Sequence, residues 1–297
     1  MILVTTPTGN TGRLIVKHLI EMDYPVRVLV RNSEKIPNEI REHIEIVQGS
    51  LLDLDTLTQA LEGCETAYYC IPQSTNPTHL LQYYDDFAQI ALRAIKRAGC
   101  KRIVYLGGAG KESGIKTAGA ASALFHAEDV LNASGAAVRT LRCPVFFDNL
   151  IWQIPPILYT HSWGLPISGE YKLPQVAVKD IASAAIHWLI DASWQDVRGV
   201  GVLGPEDISH DQIAEAVSEV IGKTVRFRQT TRAEHISMLT KEGLSSVLAE
   251  GVADMFAAIA GGLFTAEPRT PETTTSTTIQ QWLQEDFIPA LHSAHEH

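Results

Sequence analysis

Short apolar runs alternate with helix-length amphipathic segments through the first half of the chain, and this alternation limits the fold to a narrow class. Runs typical of buried strands occupy residues 2–4, 26–30, 44–47, 66–71, 102–106 and 138–141. Helical patterns separate them, the clearest at 54–61, 79–98 and 120–133. Strand–helix alternation at this spacing calls for a parallel sheet with helices on both faces. We therefore predict an α/β fold built on a doubly wound parallel sheet.

The pattern changes after residue 149. Helical patterns at 180–191 and 209–221 flank a predicted strand at 200–203, and from residue 232 the pattern is mostly helical. We therefore predict a doubly wound domain over residues 1–150, to which parts of 175–205 return, and a smaller, mostly helical C-terminal domain over 151–297.

The composition argues against several classes of function. A net charge of −10 disfavours a nucleic-acid partner. No apolar run reaches the roughly 18 residues of a membrane span, and no basic n-region follows Met1, so we expect a cytoplasmic protein without membrane contact. The four cysteines form no CxxC pair and the histidines are scattered, so we expect buried thiols and no metal site. The oligomeric state stays open, with a homodimer as one alternative.

The turn after the first strand carries a phosphate-binding pattern. Residues 6–12 read Thr-Pro-Thr-Gly-Asn-Thr-Gly. A diphosphate must lie against free backbone N–H groups at a helix N-terminus, where side chains would block it. Gly9 permits that approach and Gly12 lets the helix press onto the strand, whereas Thr6 replaces the usual first glycine. The turn predicts a Rossmann domain that binds a dinucleotide; the alternative is an ordinary strand–helix corner.

The end of the second strand indicates which dinucleotide is preferred. An acidic residue there would bind the ribose hydroxyls of NAD, and a cation would accept the 2′-phosphate of NADP. The chain places Arg31 there, with Lys35 nearby and no acid before Glu34. We therefore predict that NADP(H) is favoured over NAD(H); the alternative for Arg31 is a solvated surface arginine.

Several segments resemble one protein family. The turn at 6–12, the Val-Arg-Val-Leu-Val-Arg-Asn stretch at 26–32 and the Leu-Arg-Cys-Pro-Val-Phe-Phe-Asp-Asn stretch at 141–149 resemble the NmrA-like family of atypical short-chain dehydrogenases/reductases. Glu128, followed by Ser134-Gly135 and Leu141-Arg142, is similar to that family's signature between the fifth helix and the sixth strand. The resemblance covers the whole chain and is tightest over residues 1–150.

The resemblance implies an NAD(P)-binding fold and a set of cofactor contacts. Members of the family include quinone reductases, imine and aldehyde reductases of secondary metabolism, azo-dye reductases and redox-sensing regulators without turnover. The residues that it assigns to the cofactor are Thr6, Thr8, Gly9, Asn10, Thr11, Gly12, Arg31, Ile71, Pro72, Gly107 and Gly108.

One departure bears on the chemistry. None of the eight tyrosines has a lysine four residues later, so the Tyr-x-x-x-Lys pair of ordinary short-chain dehydrogenases is missing. Hydride transfer needs little from the protein when the acceptor is already electrophilic. We therefore predict an NADPH-dependent reductase of a flat electrophilic small molecule of the quinone, imine/iminium or azo type. The alternatives are a non-catalytic NADP(H)-binding redox sensor that acts through a protein partner, and a sugar-nucleotide epimerase, which would also need the missing tyrosine.

Six residues are candidates for the substrate site. His126 is the candidate proton donor, because it falls on the fifth helix near the expected nicotinamide and imidazole titrates near neutrality. The alternative is a histidine packed or hydrogen-bonded on that helix. The candidate walls of a flat apolar pocket are Phe125, Phe146, Asn149, Trp152 and Tyr159. Alternatively, Asn149 holds the backbone and the aromatic residues form the core of the smaller domain.

Overall fold

A seven-stranded parallel sheet forms the centre of the molecule, which the computed structural model describes from residue 1 to residue 295. The strands of this range are β1 (Ile2–Thr5), β2 (Val26–Val30), β3 (Ile44–Gln48), β4 (Thr66–Tyr69), β5 (Arg102–Gly108), β6 (Ala137–Cys143), β7 (Val145–Phe146), β8 (Ser162–Leu165), β9 (Leu173–Val176), β10 (Val197–Gly201), β11 (Asp207–Ile208) and β12 (Arg226–Gln229). The main sheet has the order β10-β6-β5-β4-β1-β2-β3, and its neighbouring strands are parallel. The predicted doubly wound parallel sheet is confirmed.

Helices cover both faces of this sheet. The helices are α1 (Asn10–Glu21), α2 (Asn38–Arg41), α3 (Leu54–Leu61), α4 (Leu80–Ala98), α5 (Ala120–Asn132), α6 (Ile154–Thr160), α7 (Val178–Ile190), α8 (His210–Ile221), α9 (Arg232–Lys241), α10 (Ser246–Ala260), α11 (Ile279–Trp282) and α12 (Ile288–His295). None of these helices combines the length and the apolar character that crossing a membrane requires.

The two faces of β1 show why its sequence is apolar throughout. Leu3 packs into the layer formed with α3, α4 and α5, whereas Val4 packs into the layer formed with α1 and α7. Successive side chains of a strand point to opposite faces, so a strand that is covered on both sides reads as a continuous apolar run.

The chain returns to the main sheet after residue 177. Helix α7 packs against α1, and β10 pairs with β6 so that Val200 lies opposite Leu141. The strand expected at 200–203 runs instead from Val197 to Gly201. Gly199 weakens the apolar pattern of this strand, but the structure requires it, because a Cβ there would overlap the guanidinium of Arg142.

The C-terminal part contains short strands as well as helices. β11, β9 and β7 form one small sheet, and β12 and β8 form another. The sequence indicated a mostly helical region because strands of two to four residues are too short to show a period. Two further apolar cores lie around Trp163 and Trp282, and around Phe256 and Leu263.

Candidate cofactor and substrate site

The residues that the sequence assigns to the cofactor meet at the carboxyl edge of the main sheet. The strand order reverses between β1 and β4, and ligands of doubly wound folds bind in the crevice at such a point. The turn at 6–12 follows β1 and Arg31 follows β2, while Ile71 and Pro72 follow β4 and Gly107 and Gly108 end β5. One sheet edge therefore carries all of the predicted cofactor residues.

The turn at 6–12 leaves the N-terminus of α1 open. Its N-cap is Gly9, and no side chain caps the helix. Helices α2, α4, α5, α6 and α7 also lack a side-chain cap, whereas α3, α8, α9, α10 and α11 each begin with an Asp, Ser or Thr side chain that accepts a backbone hydrogen bond. The first N–H groups of a helix lack partners within it, and the helix dipole favours an anion there. The N–H groups of Asn10, Thr11 and Gly12 are therefore available to a diphosphate.

The two glycines of this turn have different roles in the geometry. A Cβ at Gly12 would overlap the Thr6 carbonyl oxygen and lie 3.2 Å from the Cα of Pro7. A Cβ at Gly9 would meet only the Thr6 oxygen, at 3.3 Å. Thr6 itself is left-handed, with φ 51°, which costs a β-branched residue about 1–2 kcal/mol. Threonine thus holds the conformation that the usual glycine adopts without strain.

Arg31 is exposed directly after β2, and α4 begins after the loop that follows β4. Burial raises the pKa of the Tyr83 phenol, and the positive charge of Arg31 partly offsets this rise. The Tyr83 hydroxyl donates a 2.7 Å hydrogen bond to the carbonyl oxygen of Pro72. This hydrogen bond therefore connects the start of α4 to the loop that follows β4.

Gly107 and Gly108 are the last residues of β5. The sequence indicated instead that this strand ends at residue 106. A Cβ at Gly107 would lie 2.5 Å from Cγ2 of Thr140, and one at Gly108 would lie 3.1 Å from Cδ1 of Leu124. Glycine within a strand often marks the close approach of another group. Here it keeps side chains out of the space between the crevice and α5.

A largely apolar cavity of about 390 Å³ adjoins the same edge of the sheet. One wall comes from the ends of β5 and β6 and from α5, and includes Gly108, Leu124 and Cys143. The opposite wall comes from α9 and α10. The segments between them contribute Trp163 and Gln175. A chamber of this size and lining suits a small flat aromatic ligand.

Three of the five residues predicted to form a substrate pocket line this cavity. They are Phe146, Asn149 and Trp152. The other two are not among its lining residues in the described chain. Phe125 packs into the core beside α10, and Tyr159 is 85% exposed on α6. The structure therefore does not bring Phe125 and Tyr159 into the lining of this cavity, and their pocket roles stay predictions.

His126 lies on the side of α5 that faces away from the cavity. Its Nε2 is 2.7 Å from the Asp85 carboxylate of α4, and this hydrogen bond is the main cause of a lowered pKa at Asp85. Leu124 is the cavity residue of this helix turn, and position 126 lies about 200° further round the helix. The structure places His126 as the alternative describes, a histidine hydrogen-bonded on the helix surface, and its role as proton donor stays a prediction.

Three buried polar residues of the cavity were not predicted from the sequence. Gln175, His210 and His235 come from β9, α8 and α9, and no local motif connects them. The His210 ring stacks on Phe227 with centroids 4.7 Å apart, and burial lowers its pKa to about 4. Burial also lowers the pKa of His235. Both imidazoles are therefore mainly neutral near pH 7.

The buried His210 makes the folded protein sensitive to acid. Its pKa is about 4 when folded, against 6.5 for a free imidazole. Between these values the unfolded chain binds a proton that the folded chain excludes, so stability falls through this window by up to about 3 kcal/mol from this group. Urea unfolding between about pH 7.5 and pH 4.5 should show His210→Phe gaining stability relative to the wild type as the pH falls.

Val217→Ala is the control for this measurement. Val217 is buried on α8 about two turns from His210, and its truncation removes no titratable group, so its difference from the wild type should stay constant with pH. A constant difference between His210→Phe and the wild type across the same window would contradict the assignment of a neutral, buried His210.

A parallel sheet of this order, with an open helix terminus after its first strand, defines the Rossmann class of dinucleotide-binding folds. The sequence matches the NmrA-like family over residues 1–259, and the chain belongs to that family. Among residues 1–295, no cluster of three or more His, Cys, Asp or Glu side chains could hold a metal ion.

Several named relatives of the chain are oxidoreductases. It is 26% identical over 259 residues to NAD(P)H azoreductase of Xenophilus azovorans, which covers 86% of each chain. It is 26% identical over 267 residues to quinone oxidoreductase 2 of Escherichia coli, covering 89% of this chain and 90% of that one. The crystal structure of the NADPH-dependent quinone oxidoreductase from Escherichia coli complexed with NADPH has a TM-score of 0.81 and 22% identity, covering 97% of this chain and all of the other. At that identity the structural likeness shows the fold.

Proposed function

We propose that the protein is an NADPH-dependent reductase of flat, electrophilic aromatic molecules of the quinone, imine or azo type. The observation that carries the proposal is that the uncapped turn at 6–12 and the apolar cavity open at the same edge of the sheet. Relatives named as an azoreductase and as a quinone oxidoreductase support it.

The residues at this edge fit a reduced dinucleotide. When bound, NADPH supplies a hydride ion, so that acceptor, NADPH and one proton give reduced acceptor and NADP⁺. The backbone N–H groups of residues 10–12 would hold the diphosphate, and Arg31 would pair with the 2′-phosphate. The apolar cavity walls would orient a flat acceptor and exclude water.

The cavity side chains favour an acceptor that needs no strong acid. Burial raises the pKa of Tyr83, Tyr84 and Cys143, which all line the cavity. The Tyr83 hydroxyl already donates to Pro72. The proton would therefore come from solvent, and the acceptor must stabilise the electron pair that it gains with the hydride. Quinones, imines and azo compounds meet this condition.

Steady-state oxidation of NADPH with quinones, uncharged imines and uncharged azo dyes tests the proposal. We expect turnover above background with at least one of these classes. A simple aliphatic aldehyde is the control acceptor and should not be reduced, because its carbonyl needs a general acid. Tight binding of both NADPH and NADP⁺ without any turnover would instead favour the redox-sensor alternative, which the missing Tyr-x-x-x-Lys pair also allows.

Arg31→Ala tests the cofactor preference. We expect it to weaken NADPH binding by about 1–3 kcal/mol, or about 5- to 150-fold, and to leave NADH binding nearly unchanged. Calorimetric titration with both cofactors measures this. Lys35→Ala is the matched control, because Lys35 is a second exposed cation of the same loop and should cost less. Equal losses for NADPH and NADH in Arg31→Ala would show that Arg31 serves the fold.

A further inference from the structure

Three polar side chains of the cavity are buried without hydrogen-bond partners. Gln175 is 2% exposed, and His210 and His235 are each 4% exposed. Within residues 1–295, Nε2 of Gln175, Nε2 of His210 and both ring nitrogens of His235 have no hydrogen-bond partner. Native proteins leave few buried polar atoms unpaired, and each such atom calls for an explanation. Four such atoms, on three side chains that line one cavity, indicate a ligand that supplies the missing partners.

Ring contacts fix the two imidazoles in place. The His210 ring stacks on Phe227, with centroids 4.7 Å apart. The His235 ring stands edge-on to Phe256 at 5.7 Å. The backbone of Gln175 lies opposite Val145 in the pairing of β9 with β7, which follows directly on β6. Packing therefore orients the two rings independently of any hydrogen bond, and strand pairing fixes the backbone position of Gln175.

The cavity offers no charge to a ligand. In the part of the chain that the structure describes, none of its lining residues is Lys, Arg, Asp or Glu. Transfer of a charged group into an apolar cavity without an opposite charge is strongly unfavourable. A sulfonated or cationic dye would face this cost, whereas an uncharged aromatic ring would not.

We propose that Gln175, His210 and His235 form a hydrogen-bonding pole that holds an oxygen atom of an uncharged aromatic substrate. Each neutral imidazole has one N–H donor, and the Gln175 amide nitrogen is a further donor. A carbonyl oxygen on the ring accepts such bonds without bringing a charge into the cavity. The pole determines which substrates bind, and the inference rests on the proposed reductase function, which it deepens.

The test compares two ligands of the same shape in the presence of saturating NADP⁺, which cannot reduce them. The probes are 2,3-dimethyl-1,4-naphthoquinone, which carries two oxygens, and 2,3-dimethylnaphthalene, which carries none. Equilibrium dialysis measures their binding. We expect Gln175→Met, His210→Phe and His235→Phe each to weaken quinone binding about 5- to 30-fold and to leave binding of the hydrocarbon unchanged or stronger.

Two controls distinguish an effect on ligand binding from an effect on folding. Leu239→Met changes the cavity one turn along α9 from His235 and should affect both ligands equally. Each pole variant should unfold at the same or a higher urea concentration than the wild type, because an apolar side chain replaces an unpaired polar one. A clear loss of stability would point to a structural role and overturn the proposal.

Three further outcomes would each overturn a stated part of the proposals. Quinone binding that is unchanged in all three variants would overturn the pole. Equally tight binding of a 6-sulfonated 2,3-dimethyl-1,4-naphthoquinone would overturn the selection for uncharged rings. A full set of expected binding effects without NADPH oxidation by any acceptor would refute the proposed catalytic function while leaving the pole intact, so the two failures are distinguishable.

Discussion

Replacing Glu128 by alanine is expected to destabilise the folded protein by about 3–5 kcal/mol, the range for removing one partner of a buried ion pair. Glu128 is 2% exposed, and its carboxylate accepts a 2.9 Å hydrogen bond from Arg142, which is 8% exposed. Without Glu128, the buried guanidinium still has two carboxylate partners, Glu267 at 3.8 Å and the exposed Glu112. Urea unfolding at neutral pH measures the loss.

Glu112→Ala is the matched control for this variant. Glu112 contacts the same guanidinium at 2.7 Å, but its side chain is 70% exposed, so its removal should cost less than about 1 kcal/mol. The double variant Glu128→Leu/Arg142→Met should recover only part of the loss, because it removes the buried pair but leaves the buried Glu267 carboxylate without the guanidinium. Equal effects of Glu128→Ala and Glu112→Ala would contradict the assignment of a buried pair.

The ion pair between Glu128 and Arg142 gives a physical reason for the sequence pattern that joins Glu128 to Leu141-Arg142. Glu128 lies on α5 and Arg142 on β6, so their ion pair fixes the helix against the sheet. The same helix carries Leu124 into the cavity. In this chain, Glu128 and Arg142 therefore hold the helix that supplies one wall of the cavity.

The central sheet and the cofactor turn could be predicted because their signals are local. Each strand that is buried on both faces is a short apolar run, and the chain order of the runs already implies the parallel topology. The turn at 6–12 is one continuous segment with glycines at Gly9 and Gly12. Nothing from a distant part of the chain is needed to recognise either feature.

The cavity could not be predicted in the same way, because distant segments build it. Gln175, His210 and His235 lie on three elements of the C-terminal part, and each resembles an ordinary polar residue in the sequence. His126 was chosen for its place along α5, but the direction of a helical side chain changes by about 100° per residue. Two positions separate His126 from Leu124, and that is enough to turn it to the outside, where Asp85 binds it.

Gly12→Ala should lower the free energy of unfolding by about 3 kcal/mol, at the upper end of the range for overpacking a buried site. The new Cβ would overlap the Thr6 carbonyl oxygen and come within 3.2 Å of the Pro7 Cα. Both contacts are with backbone atoms of the turn, which cannot rotate away as the end of a side chain can. Urea unfolding of the variant and of the wild type measures the difference.

Gly9→Ala distinguishes the contribution of this turn to stability from its contribution to cofactor binding. The backbone of Gly9 has φ −78°, which suits alanine, and its Cβ would meet only the Thr6 oxygen, so stability should change by less than about 1 kcal/mol. A methyl group there would nevertheless block the approach of a diphosphate to the open end of α1, and we expect calorimetry to show affinity losses of about tenfold or more. NADPH and NADH should lose equally, unlike in Arg31→Ala, because they share the diphosphate. A stable Gly9→Ala variant that binds both cofactors like the wild type would show that this turn does not hold them.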